Sequence, residues 1–458
     1  MYSHLFELLV ICSREFRIVM QTVPANGVER VTPPPSRRAT FWPPIPMRLA
    51  DLRIPKSVVI DLILRHLHMD GMTSLEATSR TIKVAIPILD QLFRELRQQH
   101  LVEVKGAVGE DYSFSLTNAG RDLAGERFRV CRYVGPAPVS IRDYHLATKA
   151  QSATIDVNRD KLRDALSDMV LSDRMLDQLG PAIVSQKSLF LYGPSGNGKT
   201  SLAERLLRMY HDTILIPHAV EVDGKIIVLF DPVVHQTVDR EEIELDSRWV
   251  SCKRPFIMVG GELVASMLEL HYDEAAGVFA APMQMKANNG IFLIDDFGRQ
   301  VLSPRELLNR WIVPLDRRID YLTLSYGIKF QIPFEMMVVF STNLNPDDLA
   351  DATFLRRIQN KVFVEPVDAP TFNEIWRRVA ITKKLPCDLE TIDYVRGLIL
   401  SDGRTELRAC YPMDLCNIII SISEYEKRAP QMSQVDLQRA VNLYFTQSYQ
   451  KNTIDHGW

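Results

Sequence analysis

The sequence predicts an α/β protein, in which a parallel sheet flanked by helices carries a phosphate-binding loop. The first observation is a short apolar run, SLFLY at 188–192, that leads directly into GPSGNGKT at 193–200. The second is SLAERLLRMY at 201–210, which predicts a helix directly after the glycine-rich stretch. The third is a pair of apolar runs, IFLIDD at 291–296 and MMVVFSTN at 336–343, that each end in polar residues. Short apolar runs are typical of strands that a parallel sheet buries on both faces.

The composition is that of a folded protein with several domains. The chain has 458 residues, of which 46% are hydrophobic and 24% are charged. At about 100–200 residues per domain, this length predicts two to four domains. A net charge of −3 gives no overall electrostatic case for binding nucleic acid or an anionic membrane. Changes in sequence character predict five segments: a proline-rich flexible arm (1–48), a helix-rich domain (49–130), a linker (131–156), an α/β core (157–368) and a C-terminal helical lid (369–458).

The cysteines and the apolar stretches predict a soluble, cytoplasmic protein. The six cysteines are scattered without a CxxC pair, so neither a zinc ribbon nor a disulfide framework is indicated. No run of 18 apolar residues is present, so we expect no membrane span. The first residues, MYSHLFELLVICSREF, lack the basic leader and the small-residue cleavage site of a secretory signal. Met20 remains an alternative start of translation.

The domain predicted at 49–130 has three helical stretches and then two strand-like runs around a glycine-bearing turn. This order resembles a winged helix-turn-helix domain. Its third helix carries Arg94 and Arg97, but also Asp90 and Glu95. Residues 51–130 hold eleven Lys and Arg against eleven Asp and Glu, whereas DNA readers concentrate positive charge. A protein-docking domain is therefore favoured, and DNA binding remains the alternative.

The stretch GPSGNGKT fits the phosphate-loop pattern G-x-x-x-x-G-K-[ST]. Glycines in such a loop let backbone N–H groups approach phosphate oxygens, because no Cβ stands in the way. The lysine supplies a point charge for the β and γ phosphates, and the threonine hydroxyl is a ligand for Mg²⁺. The sequence therefore predicts ATP and Mg²⁺ as cofactors. The predicted nucleotide-binding residues are Gly193, Pro194, Ser195, Gly196, Asn197, Gly198, Lys199, Thr200 and Ser201, with Thr200 also on the metal.

Polar residues at two later strand ends complete a predicted hydrolytic site. Asp295 is the expected metal partner, and Asp296 is expected to face the attacking water. Asn343, at the end of the next predicted strand, is placed to orient that water. Arg356 and Arg357 follow before another strand-like run, where a guanidinium can project toward the phosphate of a neighbouring subunit. We therefore predict Asp296, Asn343, Arg357 and Arg356 as the catalytic residues.

The order of phosphate loop, Asp-Asp strand, strand-end asparagine, arginine pair and C-terminal helices resembles the AAA+ ATPase family over about residues 150–458. The resemblance extends to a group of bacterial members with winged-helix N-terminal regions. It implies an ATPase that assembles into a homo-oligomeric ring, expected to be a hexamer, and remodels an unknown protein client. In this family's terms 193–200 is the Walker A loop, Asp295 and Asp296 are the Walker B pair, and Asn343 is at sensor 1. Arg357 is the better arginine-finger candidate, because it directly precedes the apolar residue that opens the next strand.

Two departures from the family pattern bear on the mechanism. Met413 stands where related sequences tend to carry the sensor 2 arginine, so either Arg408 or Arg404 substitutes or the lid is coupled less tightly to the nucleotide. Asp296 replaces the more usual glutamate and is one C–C bond shorter, roughly 1.5 Å. We therefore expect slow hydrolysis rather than none. The alternative function is a regulator that binds DNA through its winged helix under the control of ATP, with little or no turnover.

Between the phosphate loop and Asp295, the stretch HAVEVDGKIIVLFD has two strand-like halves around Asp223 and Gly224. An Asp-Gly pair between apolar runs is a strong hairpin signal. We expect a hairpin inserted into the core. Contact with the client is the functional hypothesis for this hairpin, and a purely structural role is the alternative.

Overall fold

A computed structural model describes residues 41–108, 111–152, 156–239, 245–349, 355–401 and 405–445. Residues 1–40, most of the predicted arm, and residues 446–458 of the predicted lid lie outside this set. Among the described residues, no helix combines the length and the apolar character that crossing a bilayer requires.

The end of the predicted arm is packed rather than free. Pro43 and Pro46 are buried, and the Pro43 carbonyl accepts a hydrogen bond from the Asp246 amide at 3.1 Å. The ring of Phe41 contacts the edge of Trp249 at a centroid distance of 5.2 Å. Proline loses little side-chain entropy on burial, so a proline-rich segment can dock at small cost where apolar surface is available.

The N-terminal region has the three helices and the strand pair that the sequence predicts, with one additional short strand and a fourth helix after the strand pair. Its three strands form an antiparallel sheet in the order β1-β3-β2, on which the helices pack around one apolar core. The elements are α1 (Lys56–Asp70), β1 (Met72–Ser74), α2 (Leu75–Ile82), α3 (Ile86–Gln98), β2 (Val102–Val108), β3 (Asp111–Leu116) and α4 (Asn118–Val130).

Fourteen further strands are described after this region. In chain order they are β4 (Val139–Ser140), β5 (Leu189–Tyr192), β6 (Thr213–Pro217), β7 (Ala219–Val222), β8 (Lys225–Val228), β9 (Trp249–Lys253), β10 (Phe256–Val259), β11 (His271–Asp273), β12 (Val278–Ala280), β13 (Ile291–Ile294), β14 (Ile319–Thr323), β15 (Lys329–Pro333), β16 (Met337–Thr342) and β17 (Asn360–Phe363).

Helices alternate with these strands and then follow them. They are α5 (Ile141–Ala150), α6 (Arg159–Ala165), α7 (Asp173–Ser185), α8 (Lys199–Leu206), α9 (Met283–Lys286), α10 (Pro304–Arg317), α11 (Pro346–Leu349), α12 (Ala369–Lys383), α13 (Leu389–Ser401), α14 (Tyr411–Tyr425) and α15 (Gln434–Tyr444). Short 3-10 helices lie at Leu49–Leu52, Leu207–Met209 and Ala265–Leu268.

The central sheet confirms the predicted parallel α/β core. Its five strands lie in the order β10-β13-β16-β5-β17, and every neighbouring pair is parallel. Helices α6, α7 and α8 pack on one face of this sheet, and α10 packs on the other. Both faces are therefore buried, which explains why β5, β13 and β16 appear in the sequence as unbroken apolar runs. This order places β16 between β5 and β13.

A second five-stranded sheet, in the order β11-β12-β8-β7-β4, contains the predicted hairpin. β7 and β8 pair antiparallel around Asp223 and Gly224, which have φ values of +49° and +74°. Asp223, Gly224 and Lys225 are exposed at the turn, whereas β7 is buried along its length. Ala219 and Ile226 belong to the apolar core of the N-terminal region, so the hairpin joins that region to the rest of the chain.

Regular structure also occurs in the segment predicted to be a linker, residues 131–156. β4 pairs with β7, α5 follows it directly, and the Ala137 amide donates to the Ile82 carbonyl at 2.7 Å. The C-terminal helices α12 to α15 enclose a separate apolar core around Phe372 and Trp376.

Candidate functional site

The predicted phosphate loop joins the carboxyl end of β5 to the first turn of α8. Two of its glycines are in positions that no other residue would fit. Gly193 has φ +139°, and a Cβ there would lie 2.3 Å from the Val364 carbonyl oxygen. Gly196 has φ +78°, and its Cβ would lie 2.6 Å from the Cys410 sulfur. The loop therefore has the close-packed backbone that its glycine pattern predicts.

Lys199, the first residue of α8, is directed into the loop. Its Nζ donates hydrogen bonds to the Gly193 carbonyl at 2.8 Å, to the Pro194 carbonyl at 2.9 Å and to Asn343 Oδ1 at 2.7 Å. Burial lowers the pKa of Lys199 from its ordinary value, and the negative charges of Asp295 and Asp296 oppose that effect. The ammonium group is thus held among oxygen atoms where phosphates would compete for it.

The acidic pair lies at the carboxyl end of β13, next to the loop. The Thr200 hydroxyl donates to both carboxylate oxygens of Asp295, at 2.9 and 3.0 Å. Asn343 Nδ2 donates to Asp296 Oδ1 at 3.1 Å. Because Asn343 also accepts from Lys199, its amide bridges the loop lysine and the second aspartate. The structure therefore brings together five residues that the sequence analysis predicted from three separate stretches.

These residues line a cavity of about 770 Å³. The loop contributes Ser195 through Ser201 to the lining. Gly193 and Pro194 do not line the cavity, but their carbonyls accept hydrogen bonds from Lys199 Nζ. The rest of the cavity lining is mostly apolar. Apart from Met413, sequence reasoning missed these apolar residues, because they come from helices and connections with no local motif. The apolar side chains that line the cavity are Met169, Val170, Leu171, Met175, Val364, Val367, Ile375, Val379 and Met413.

The C-terminal helices touch the loop directly. Arg408 Nη1 donates to Ser195 Oγ at 3.1 Å, and the Cys410 amide donates to the Gly196 carbonyl at 2.9 Å. Arg408 also lies over the ring of Tyr411, with 6.0 Å from the guanidinium carbon to the ring centroid. Arg404 lies outside the described residues. Of the two arginines that the sequence analysis left open, Arg408 is the one seen at the loop.

The two predicted finger arginines are not at this cavity. Arg357 Nε donates to Asp316 at 2.9 Å, and the Arg357 side chain is 16% exposed. Arg356 is exposed, and neither arginine lines the cavity. The chain therefore does not supply either guanidinium to its own site in this conformation.

Thr200 and Asp295 are suitable ligands for a hard divalent cation. Hydroxyl and carboxylate oxygens are the donors that Mg²⁺ takes, usually with several waters and phosphate oxygens completing the shell. Among the described residues, no group of three or more His, Cys, Asp or Glu side chains would hold a metal ion without other ligands. The residues present thus fit an ion that is bound together with a nucleotide.

A family model described as a domain of unknown function, DUF8689, matches residues 368–443, most of the C-terminal helical region. No protein with a curated description matches the chain. Among solved structures, the chain is similar to two RuvB mutants of Thermotoga maritima, at 10% and 13% identity and a TM-score of 0.34 for each. These matches cover 63% and 64% of this chain and 70% and 73% of the RuvB chains.

The chain is also similar to the AAA domain of FIGL-1, at 15% identity and a TM-score of 0.32, over 63% of this chain and 80% of that one. Identity and TM-scores this low are too weak to carry an activity or a partner from these proteins to this chain. The function proposed below therefore rests on the geometry of the site.

Proposed function

We propose that this protein is an AAA+ ATPase, which binds ATP and hydrolyses it with Mg²⁺. One observation carries the proposal: Lys199, Thr200, Asp295, Asp296 and Asn343 line one cavity at the carboxyl ends of β5, β13 and β16. Ligand sites of open parallel sheets lie at this edge. A chance glycine turn would not gather a threonine, two aspartates and an asparagine from two other strands around its lysine.

Each residue has a role that follows from its chemistry. The loop amides and Lys199 bind the phosphates, and Thr200 with Asp295 would hold Mg²⁺. Mg²⁺, when bound, neutralises charge on the phosphates. Asp296 accepts the proton of the attacking water, and Asn343 orients that water. Because aspartate is a short base, we expect turnover to be slow rather than absent.

The apolar part of the cavity lining fits the base of the nucleotide. Met169, Met175 and Ile375 offer apolar contact for a purine ring, as is usual in ligand pockets, which are lined mainly by hydrophobic side chains. These side chains line the same cavity as Lys199, so one ligand with an apolar ring and a polyphosphate would find partners for both of its parts.

We further propose that the protein assembles into a ring, expected to be a hexamer, that remodels a macromolecular client. The position of Arg357 is compatible with this proposal: the residue lies outside its own cavity, so a phosphate that it contacts would belong to the site of a neighbouring subunit. A guanidinium supplied in trans accelerates phosphoryl transfer by about 10³–10⁵. The C-terminal helices would act as a lid, since Arg408 and Cys410 contact the phosphate loop.

We propose that the N-terminal region is a winged-helix domain that docks a protein. Its third helix, α3, presents little free positive charge: Arg94 is paired with Asp90, and Glu95 is paired with Lys56 of α1. Of the described cations of α3, only the exposed Arg97 has no carboxylate partner. DNA binding needs unpaired cations to displace counterions from phosphate. A mobility-shift assay at physiological salt tests the alternative, and sequence-specific binding at nanomolar concentration would favour a DNA-binding regulator.

Steady-state release of phosphate from ATP by the purified protein tests the main proposal. We expect slow turnover that requires Mg²⁺ and stops in EDTA. Tight ATP binding without phosphate release would indicate a nucleotide-controlled scaffold. Absence of both binding and release would overturn the proposal.

A further inference from the structure

Gln300 closes the turn that carries the acidic pair. Its Oε1 accepts a hydrogen bond from the Gly298 amide at 2.8 Å, and its Nε2 donates to the Asp295 carbonyl at 2.7 Å. The side chain is buried, with 9% of the residue exposed. The Gln300 side-chain amide therefore bridges the Asp295 carbonyl and the Gly298 amide, as the main chain of a neighbouring strand would.

The backbone of this turn is unusual at the second aspartate. Asp296 has φ +48°, and Gly298 has φ +108°. Aspartate is one of the residues most often found in this left-handed region after glycine, but the conformation still carries an energetic cost that the surroundings must offset. The Arg299 amide donates to the Asp296 carbonyl at 3.0 Å, so residues 296–299 form a tight turn. The direction of the Asp296 carboxylate thus depends on what holds the turn.

One side of the turn is fixed by the neighbouring strand. The Phe297 ring is buried against Phe190 and Phe340, at centroid distances of 5.9 and 5.0 Å. Its amide donates to the Ser341 carbonyl at 2.7 Å, and its carbonyl accepts from the Thr342 hydroxyl at 2.6 Å. These contacts hold Phe297. The Asp295 carbonyl before it and the Gly298 amide after it are held by Gln300.

We propose that Gln300 is a positioning residue for hydrolysis, which acts by keeping Asp296 in its left-handed conformation. This inference rests on the proposed ATPase function. A short carboxylate has little reach to spare, and a displacement of about 1 Å at a reacting group can lower the rate by about 10²-fold. Gln300 bonds the main chain on both sides of Asp296 and Phe297 and makes no hydrogen bond to the phosphate loop, so its loss loosens the backbone that carries the Asp296 carboxylate while the loop keeps its own contacts.

Gln300→Ala and Gln300→Glu test the proposal. The alanine variant loses both hydrogen bonds. The glutamate variant keeps the size and the acceptor for Gly298, but it loses the donor to the Asp295 carbonyl. Single-turnover hydrolysis with excess protein gives the rate, and titration with a fluorescent ATP analogue gives the affinity. We expect both variants to hydrolyse about 10-fold more slowly or worse, with affinity within about twofold of the wild type.

Arg299→Ala is the matched control, because Arg299 is the exposed neighbour of Gln300 and is expected to keep the wild-type rate. A double variant tells whether Gln300 acts through Asp296 or whether its loss loosens the fold in general. In the Asp296→Asn background, Gln300→Ala should cause no further loss of rate, since residues that act together are not additive. If the alanine variant does not fold, the rate of hydrolysis in the Gln300→Glu variant decides the test.

A wild-type rate in both Gln300 variants overturns this inference and leaves the ATPase proposal intact. A further loss in the double variant, or a parallel loss of affinity, also overturns it, because either result assigns Gln300 a structural role only. If the wild type itself releases no phosphate, the proposed function fails first and this inference fails with it.

Discussion

The ammonium group of Lys199 donates a hydrogen bond to the side-chain oxygen of Asn343 at 2.7 Å, although 144 residues separate the two in sequence. The contact exists because β5 and β16 are parallel neighbours, so both residues follow the carboxyl end of a strand at the same edge of the sheet. It links the loop that would bind the phosphates to the amide that would orient the attacking water.

Lys199→Ala should abolish turnover and weaken ATP binding by about 100-fold. The reason is the loss of a charge-assisted hydrogen bond to phosphate in a half-buried site, where such bonds contribute about 1.5–3 kcal/mol. Titration with a fluorescent ATP analogue measures the affinity. Lys187→Ala is the control, since Lys187 is an exposed lysine that contacts Gln359, and it should behave like the wild type. Equal affinity in the two variants would contradict the assignment of the loop.

Asp296→Glu should lower the rate of hydrolysis rather than raise it. Aspartate is several-fold enriched in the left-handed backbone region that this position requires, and glutamate is not. The longer side chain would also disturb the hydrogen bond from Asn343. Phosphate release, measured beside that of Asp296→Asn, gives the answer. A large increase in the glutamate variant would contradict this prediction, because it would mean that the turn adapts to the longer residue and that only the short reach of Asp296 slows the wild type.

Arg357→Ala should reduce turnover by about 10³-fold while ATP binding survives, if Arg357 acts on a neighbouring subunit. In the wild type, Arg357 must leave Asp316 to do so. Mixing this variant with Lys199→Ala provides a sharp test. Each variant is inactive alone, but a mixed ring pairs an intact phosphate loop with an intact Arg357 from its neighbour.

Recovered phosphate release on mixing would support action in trans. No recovery, despite mixed oligomers in native mass spectrometry, would contradict it. Arg356→Ala, tested in the same way, decides between the two adjacent arginines.

Arg408→Ala should lower turnover by about 10- to 100-fold, in line with the loss of one charge-assisted hydrogen bond at the phosphate loop. Its Nη1 contacts Ser195 of the loop, whereas its Nε is buried without a hydrogen-bond partner among the described residues. Arg439→Ala is the control, because Arg439 is ion-paired with Glu426 in the same helical region. Unchanged phosphate release in Arg408→Ala would leave Arg404 as the remaining candidate from the sequence analysis.

The protein should lose stability as the pH falls from about 6.5 toward 4. Burial, with the nearby charge of Lys83, lowers the pKa of His218 from 6.5 to about 4. Burial also lowers the pKa of His66, His145 and His235. In this window the unfolded chain binds more protons than the folded one, so protonation favours unfolding.

The unfolding midpoint at several pH values measures this effect. His218→Gln should show a smaller fall between pH 7 and pH 5 than the wild type, by roughly 2 °C or more. His211→Gln, at an exposed histidine, is the control and should follow the wild type. Identical curves for all three proteins would contradict the role given to His218.

Sequence reasoning was strongest where a local pattern fixes the local structure. The glycine loop, the apolar strands that end in Asp295 and Asn343, the Asp223–Gly224 hairpin and the start of the C-terminal helices are all present in the structure. In each of them, residue type and spacing over a few positions determine the backbone. The same reasoning did not find α5 or β4, because those elements are stabilised by partners that are distant in sequence.

By itself, then, the sequence determined which residue types stand at the glycine loop and at the two strand ends, and it predicts phosphate binding and hydrolysis for them. It also determined that they follow strands of one parallel sheet. Only the tertiary structure decided which of them meet: Arg408 reaches the loop, whereas Arg356 and Arg357 do not. It also decided the left-handed backbone conformation of Asp296 and the hydrogen bonds by which Gln300 holds the turn. The reason is that a strand pattern specifies only local geometry, while the strand order and the contacts between layers set which distant side chains come within hydrogen-bond distance.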